Sequence, residues 1–212
     1  MEIHAPHKPI LTVTEALVHL AIVTVGILIA LSLEGARQWY EHRSLATETR
    51  ENLRREIEAN RTELAGYVEN ATAMQKQLMH AREVAQAVAD SKPLHDTSIE
   101  LGYHGAELQS ASHTTAELTG AFAFMSRDDV VKYARVYDRQ AIFQRQQDQV
   151  FTDFVGAFAG TQLIAGGTRK ASTRELEDWA RALSIAHASA EIAKQVATAL
   201  NEEYQRALGA EH

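Results

Sequence analysis

The chain has no cysteine, which excludes disulfide staples, thiolate metal sites and thiol nucleophiles together. Prolines number three and glycines eleven in 212 residues, too few for the turn density of a sheet protein. Positive charge is short as well. A net charge of -7 and a pI near 5.8 leave no basic face for a phosphate backbone, so nucleic acid is not an expected partner. The sequence also lacks a Gly-x-Ser-x-Gly elbow, a phosphate-cradling Gly-Lys-Ser/Thr loop, a dinucleotide fingerprint, and any Glu-x-x-His or His-Glu-x-x-His pair. No cofactor and no catalytic residue is therefore expected.

What is abundant is Ala, Glu, Gln, Arg and Leu, the composition of long uninterrupted helices. The expected fold is all-α. Residues 16–33, ALVHLAIVTVGILIALSL, carry no charge, and at about 1.5 Å per residue they cover roughly 27 Å, close to the hydrocarbon thickness of a bilayer. A transmembrane helix is expected over residues 10–35, after an N-terminal tail of residues 1–9. A cleaved signal peptide would have a shorter apolar core, a more basic start than the single Lys8, and no Glu15 at its edge. Pro9 suits the helix start, with Thr12 or Thr14 as cap and Glu15 near the positive end of the helix dipole.

Within this span Glu15 and His19 stand one turn apart, placed to meet each other, a partner helix or headgroup water, or to relay protons. Gly26 and Ala30 form a small-xxx-small pair that lets a second helix approach. Trp39 and Tyr40 follow the span as interfacial anchors. Arg37, Arg43, Arg50, Arg54 and Arg55 lie beyond it, so the positive-inside rule favours a cytoplasmic soluble domain on a bacterial inner membrane.

The stretch EALVHLAIVTVGILIALSLEGARQWYEHR resembles a bacterial family of uncharacterised single-span membrane proteins, whose members read E-x-x-x-V-x-x-G-I-L-I-A-L-x-x-N-x-W at this point. RENLRREIEAN at residues 50–60 and TTAELTGAFAFMSRDDVVKYARVYDRQ at residues 114–140 are similar too. Gly35 to Trp39 holds no asparagine, so any role tied to that position in the family does not carry over. The resemblance implies a topology and no catalytic residue.

Residues 36–212 read as one helical bundle domain, with helices expected at about 36–90, 106–124, 127–164 and 172–208. Together with the span this is a transmembrane helix continuing into a long helix that packs in an antiparallel four-helix bundle. The first stripe is Leu45, Leu53, Ile57, Leu64, Val68, Ala71, Leu78, Ala85 and Val88. Residues 93–105 form the main loop. In the third helix Val130, Ala134, Tyr137, Ala141, Phe151, Phe154, Val155 and Phe158 are expected inside, with the polar run at residues 144–149 facing water. Ser126 caps that helix, Gly166 and Gly167 follow its end, and Ser172 or Thr173 opens the last one. There Leu176, Trp179, Leu183, Ala186, Ala190, Ala193, Ala197, Leu200, Tyr204 and Ala207 repeat as a heptad seam.

Three histidines in or beside the loop, His95, His104 and His113, are the candidate metal ligands, with solvated loop side chains as the plainer account. The helical pairs His80/Glu83 and His187/Glu191 read as surface salt pairs. Two functions from different classes follow. One is a membrane-anchored interaction or scaffold protein whose partners are the bilayer and either further copies of itself or another membrane protein. The other is a metal- or ligand-binding sensor or enzyme using residues 95–113.

Overall fold

A computed structural model of the chain describes residues 13–93, 96, 98–165 and 171–209. Among the described residues there is no strand. Four α-helices of two turns or more occur, α1 (Val13–Ala89), α2 (Ala111–Thr119), α3 (Arg127–Ala159) and α5 (Thr173–Gly209), with a single-turn α4 (Gln162–Ala165) and a 3-10 turn at Ala121–Phe124. The fold is all-α, with one long apolar helix near the N-terminus. Two compact units divide the chain, Met1–Glu48 and Thr49–His212, and the boundary falls within α1.

In the first unit every residue from Val13 to Ser44 is exposed. Its helix neutralises its own polar groups: Thr24 Oγ1 donates to the Leu20 carbonyl at 2.8 Å and Ser32 Oγ to the Leu28 carbonyl at 2.7 Å. Beyond the apolar stretch Arg37 pairs with Glu34 at 2.7 Å and with Glu41, each within one helical turn. Pro9 and Thr12 lie outside the described residues.

The second unit has its core between the later part of α1, α3 and α5. All ten seam residues expected in α5 are buried. In α1, Leu53, Ile57, Leu64, Ala71, Leu78 and Ala85 are buried as expected, whereas Val88 is exposed. The third helix corrects the sequence reading. Its inner face carries Tyr133, Val136, Tyr137, Gln140, Phe143, Val150, Phe154 and Ala157, while Ala134, Phe151, Val155 and Phe158 are exposed. The true seam includes amides at Gln140 and Gln147. Counting only apolar positions shifts the stripe one residue, onto the neighbouring apolar side chains.

Local chemistry sets the helix ends. Ser126 Oγ accepts from the Asp129 backbone N–H at 3.1 Å and caps α3. Ser172 and Glu175 form a reciprocal capping box at the start of α5, with Ser172 N–H donating to Glu175 Oε2 at 2.8 Å and Glu175 N–H to Ser172 Oγ at 3.3 Å. Gly120 adopts φ 69°, the left-handed conformation that ends α2. The helix expected over 106–124 is thereby reduced to Ala111–Thr119 and a 3-10 turn. At Gly160 a Cβ would stand 2.0 Å from Trp179 Cδ1, so only glycine admits the Trp179 ring, whose Nε1 donates to the Ala157 carbonyl at 2.8 Å. Gly166 and Gly167 lie outside the described residues.

Candidate functional site

Two regions carry features that ordinary core packing does not require. The first is the beginning of α1. It is the one helix among the described residues long and apolar enough to cross a membrane, with an 18-residue window of mean hydropathy 2.5 and none of it buried. A soluble core helix of that composition would be covered by its own protein, and this one is not. His19 Nδ1 lies 2.9 Å from the Glu15 carbonyl oxygen, which ties the ring to the preceding turn. A Cβ at Gly26 would meet nothing within 4 Å, so the Gly26/Ala30 face is open. Trp39 and Tyr40 are 61% and 70% exposed, and the Arg43 guanidinium lies 5.4 Å from the Trp39 ring centroid.

The second region is a polar seam in the second unit that holds residues 98–112 against α1 and α3. Asn60 and Gln109 pair twice: Asn60 Nδ2 donates to the Gln109 carbonyl and the Gln109 N–H donates to Asn60 Oδ1, both at 2.7 Å. Gln147 grips Ala106 in the same way, accepting its N–H at 2.7 Å and donating to its carbonyl at 3.1 Å. Gln140 Nε2 adds a second bond to the Gln109 carbonyl at 2.9 Å, and Gln140 Oε1 accepts from Tyr204 Oη at 2.8 Å and from Asn60 Nδ2 at 3.2 Å. Side-chain amides thus replace the backbone partners that residues 106–110 would have found in a helix, which is why this stretch need not be helical.

Glu56 closes the lower end of the seam. Its Oε2 accepts the Ser112 N–H at 2.7 Å, which caps the start of α2 from a different helix, and its Oε1 accepts from Tyr137 Oη at 2.5 Å. Burial and this carboxylate together push the Tyr137 phenol far above its ordinary range, so it stays a proton donor. Tyr67 is different. It is buried edge-on against Phe143, with ring centroids 4.9 Å apart, and its hydroxyl has no hydrogen-bond partner among the described residues.

Of the three candidate histidines, two lie among the described residues. His95 lies outside the described residues. His104 is exposed, and His113 is half-buried with its ring tilted against Tyr137, centroids 4.1 Å apart, and its Nδ1 3.7 Å from Glu117 Oε2. Among the described residues no three His, Asp or Glu side chains converge as a metal site would need. His80 Nε2 lies 3.1 Å from the Ser98 carbonyl, and Glu191 accepts from Gln75 at 2.8 Å and pairs with Lys194 at 3.0 Å. The Gln75 hydrogen bond, with help from Lys194 and Gln195, holds the Glu191 carboxyl down at about 2.

A cleft of about 310 Å³ lies between the start of α3 and the end of α5, lined among others by Asp129, Lys132, Arg135, Glu203 and Arg206. Its charges largely satisfy one another. Asp129 bonds to Arg50 at 3.0 Å and Lys132 at 3.0 Å, and Glu203 to Arg206 at 2.5 Å. Burial raises the Asp129 carboxyl, but hydrogen bonds from Ser126, Arg50 and Lys132 outweigh it and bring the group down to about 2.

No protein-family model, curated protein or solved structure matches the chain. The amide grip on residues 98–112 was not anticipated from the sequence. Its signal was present, however: Asn60 stands in step between Ile57 and Leu64, and Gln140 and Gln147 stand in step with Val136, Phe143 and Val150. An amide at a seam position is buried and needs a partner.

Proposed function

We propose that this chain is a single-pass membrane-anchored interaction protein of the bacterial cytoplasmic membrane, one that self-associates or serves as an accessory subunit of a larger membrane assembly. The observation that carries the proposal is the fully exposed apolar start of α1, in which Leu17, Ile22, Val25, Leu28 and Leu31 are each more than half exposed. In water such a surface is unfavourable by about 25 cal/mol for each Å² of apolar area. A bilayer removes that cost, and the intrahelical bonds of Thr24 and Ser32 leave those hydroxyls compatible with lipid.

Association in the membrane is supported by the open Gly26/Ala30 face, on which a second helix can pack closely. Glu15 and His19 add polar groups at the edge of the span where a neighbouring helix can reach them. The excess of arginine after the span favours a cytoplasmic second unit. The likeness of the span to the single-span family agrees with this topology. Binding rather than catalysis is proposed, because the buried Glu56, Asn60 and Gln140 of the second unit are engaged in holding residues 98–112.

The test is affinity capture of tagged full-length protein from membranes in a mild detergent, with mass spectrometry of both the captured proteins and the intact complex. A second protein at fixed stoichiometry, or a defined homo-oligomer that Gly26→Leu disperses, is the expected result. A monomer that partitions into the soluble fraction would overturn the proposal.

A further inference from the structure

Residues 98–112 are bound like a peptide. The Ser98 carbonyl lies beside His80 and the Ser112 N–H beside Glu56. About 24 helical residues, roughly 36 Å, are therefore covered by about 14, or roughly 2.6 Å each, which is a nearly extended chain. Burial alternates over residues 106–109: Ala106 and Leu108 are buried, Glu107 and Gln109 exposed. Between residues 104 and 112 the hydrogen bonds from the groove go to backbone atoms, through Glu56, Asn60, Glu63, Gln140, Gln144 and Gln147. Such a groove reads an extended backbone and selects side chains only at the two inward positions, in the manner of strand-addition recognition. The inward positions are specific. Ala106, 5% exposed, is the small inward residue, and two positions beyond it the core takes Leu108, 9% exposed, while on the outward side a Cβ at Gly105 would stand 3.2 Å from Gln147 Nε2 and press on that amide.

The two ends of the bound segment are held unequally. At the lower end are the double pairs to Ala106 and Gln109. At the upper end are single bonds, Gln77 Oε1 to the Gly102 N–H at 3.0 Å and His80 to the Ser98 carbonyl at 3.1 Å. The Tyr103 ring lies over Phe151 and Phe154, with centroids 5.3 and 5.6 Å away, and the nearby Tyr67 hydroxyl is buried and unpaired. We infer that the groove between α1 and α3 is a docking site for an extended segment of a partner protein carrying a small residue followed two positions later by leucine, and that residues 98–112 occupy it as an internal substitute which that segment displaces from the upper end. This inference rests on the reading of the chain as an interaction module and names the surface it would use.

The probe is a fluorescein-labelled synthetic peptide with the sequence of residues 103–112, added to full-length protein in detergent and followed by fluorescence anisotropy. The apparent affinity scales with the fraction of molecules whose own segment is undocked. Leu108→Ser, which removes the inward anchor of the internal segment and leaves α1 and α3 intact, is expected to bind the peptide at least tenfold tighter than the natural chain. Adding Gln147→Ala to that variant should return binding to the natural level or below. Gly105→Val, which crowds Gln147 from the segment's side, gives a second variant should Leu108→Ser lose helicity. Hydrogen exchange in the natural chain should open the amides of residues 98–104 well before those of the helices. Peptide that binds none of the helical variants, binding indifferent to Gln147→Ala, or amides at 98–104 that exchange only with the helices would each overturn the inference. None of these results bears on whether full-length protein captures a membrane partner, so the two proposals fail separately.

Discussion

The two units solve opposite problems with the same helical backbone. From Val13 to Leu33 the apolar side chains face outward and the polar ones fold back on their own helix. From Thr49 onward the core is built from apolar side chains that face inward, Leu53, Ile57, Leu183 and Leu200 among them, and a buried line of amides and phenols reaches across helices to hold a non-helical segment. The difference shows that helicity alone says nothing about which side of a helix meets solvent. The surrounding medium decides that: in the proposed membrane-anchored state hydrocarbon makes outward leucine stable in the first unit, and water makes it costly in the second.

The most severe break of this comparison comes from placing one charge type in both units. Ile27→Asp with Leu31→Asp places two carboxylates in the span at about 2.5–3.5 kcal/mol each near a helix centre. The expected result is loss of the protein from the membrane fraction with the thermal unfolding of the second unit unchanged. Leu183→Asp, at a site with 0% exposure, should do the reverse, leaving membrane partition intact and abolishing cooperative unfolding. If either substitution disturbs both readouts equally, the units are not independent in this respect.

Gly160→Ala is next in size. Its methyl would meet the Trp179 ring at 2.0 Å, and overpacking of this kind costs about 1–3 kcal/mol, seen as a lower urea midpoint. A near-neutral outcome would mean that the end of α3 can withdraw from α5, and the close approach there would lose its significance.

Asp129→Asn sharpens the electrostatic side of the second unit, with an expected loss of about 1–2 kcal/mol at neutral pH from weakened ion pairs and cap. The carboxyl is held at about 2 against an ordinary 3.8, so its contribution is complete above the ordinary value and disappears as pH falls toward about 2. Unfolding midpoints of the natural chain and the variant should therefore differ at pH 7 and converge at pH 2. A gap that persists at pH 2 would assign the loss to packing.

Tyr67→Phe has the smallest expected effect, from neutral to about 1 kcal/mol of stabilisation, because the hydroxyl it removes is buried without a partner. A loss above about 1 kcal/mol in thermal unfolding would show that a bound water or other group satisfies that hydroxyl in solution.

The regular parts of this molecule were legible in order of how simply their residues repeat. The α5 seam was readable in full, since ten apolar positions alternate in steps of three and four without interruption. Ser126 and Ser172 announced their helices through local side-chain chemistry that needs no tertiary partner. The α3 face was misread by one residue because Gln140 and Gln147 occupy seam positions, and a glutamine looks solvent-facing until its partner is known. The same blindness turned residues 106–110 into helix on paper. Their partners lie on α1 and α3, 31 to 49 positions away in sequence.

By itself the sequence determined what composition and short-range periodicity control: an all-helical chain, an apolar helix of membrane-spanning length, the seam of α5 and the caps. Only the tertiary structure decided where the amides go, why Gly160 must be glycine, how Glu56 caps a helix that is not its own, and that residues 98–110 run as a non-helical segment in a groove. The physical reason is range. Hydrophobic periodicity and capping act within a few residues of backbone, whereas a buried amide is stable only beside a particular partner that folding must bring to it.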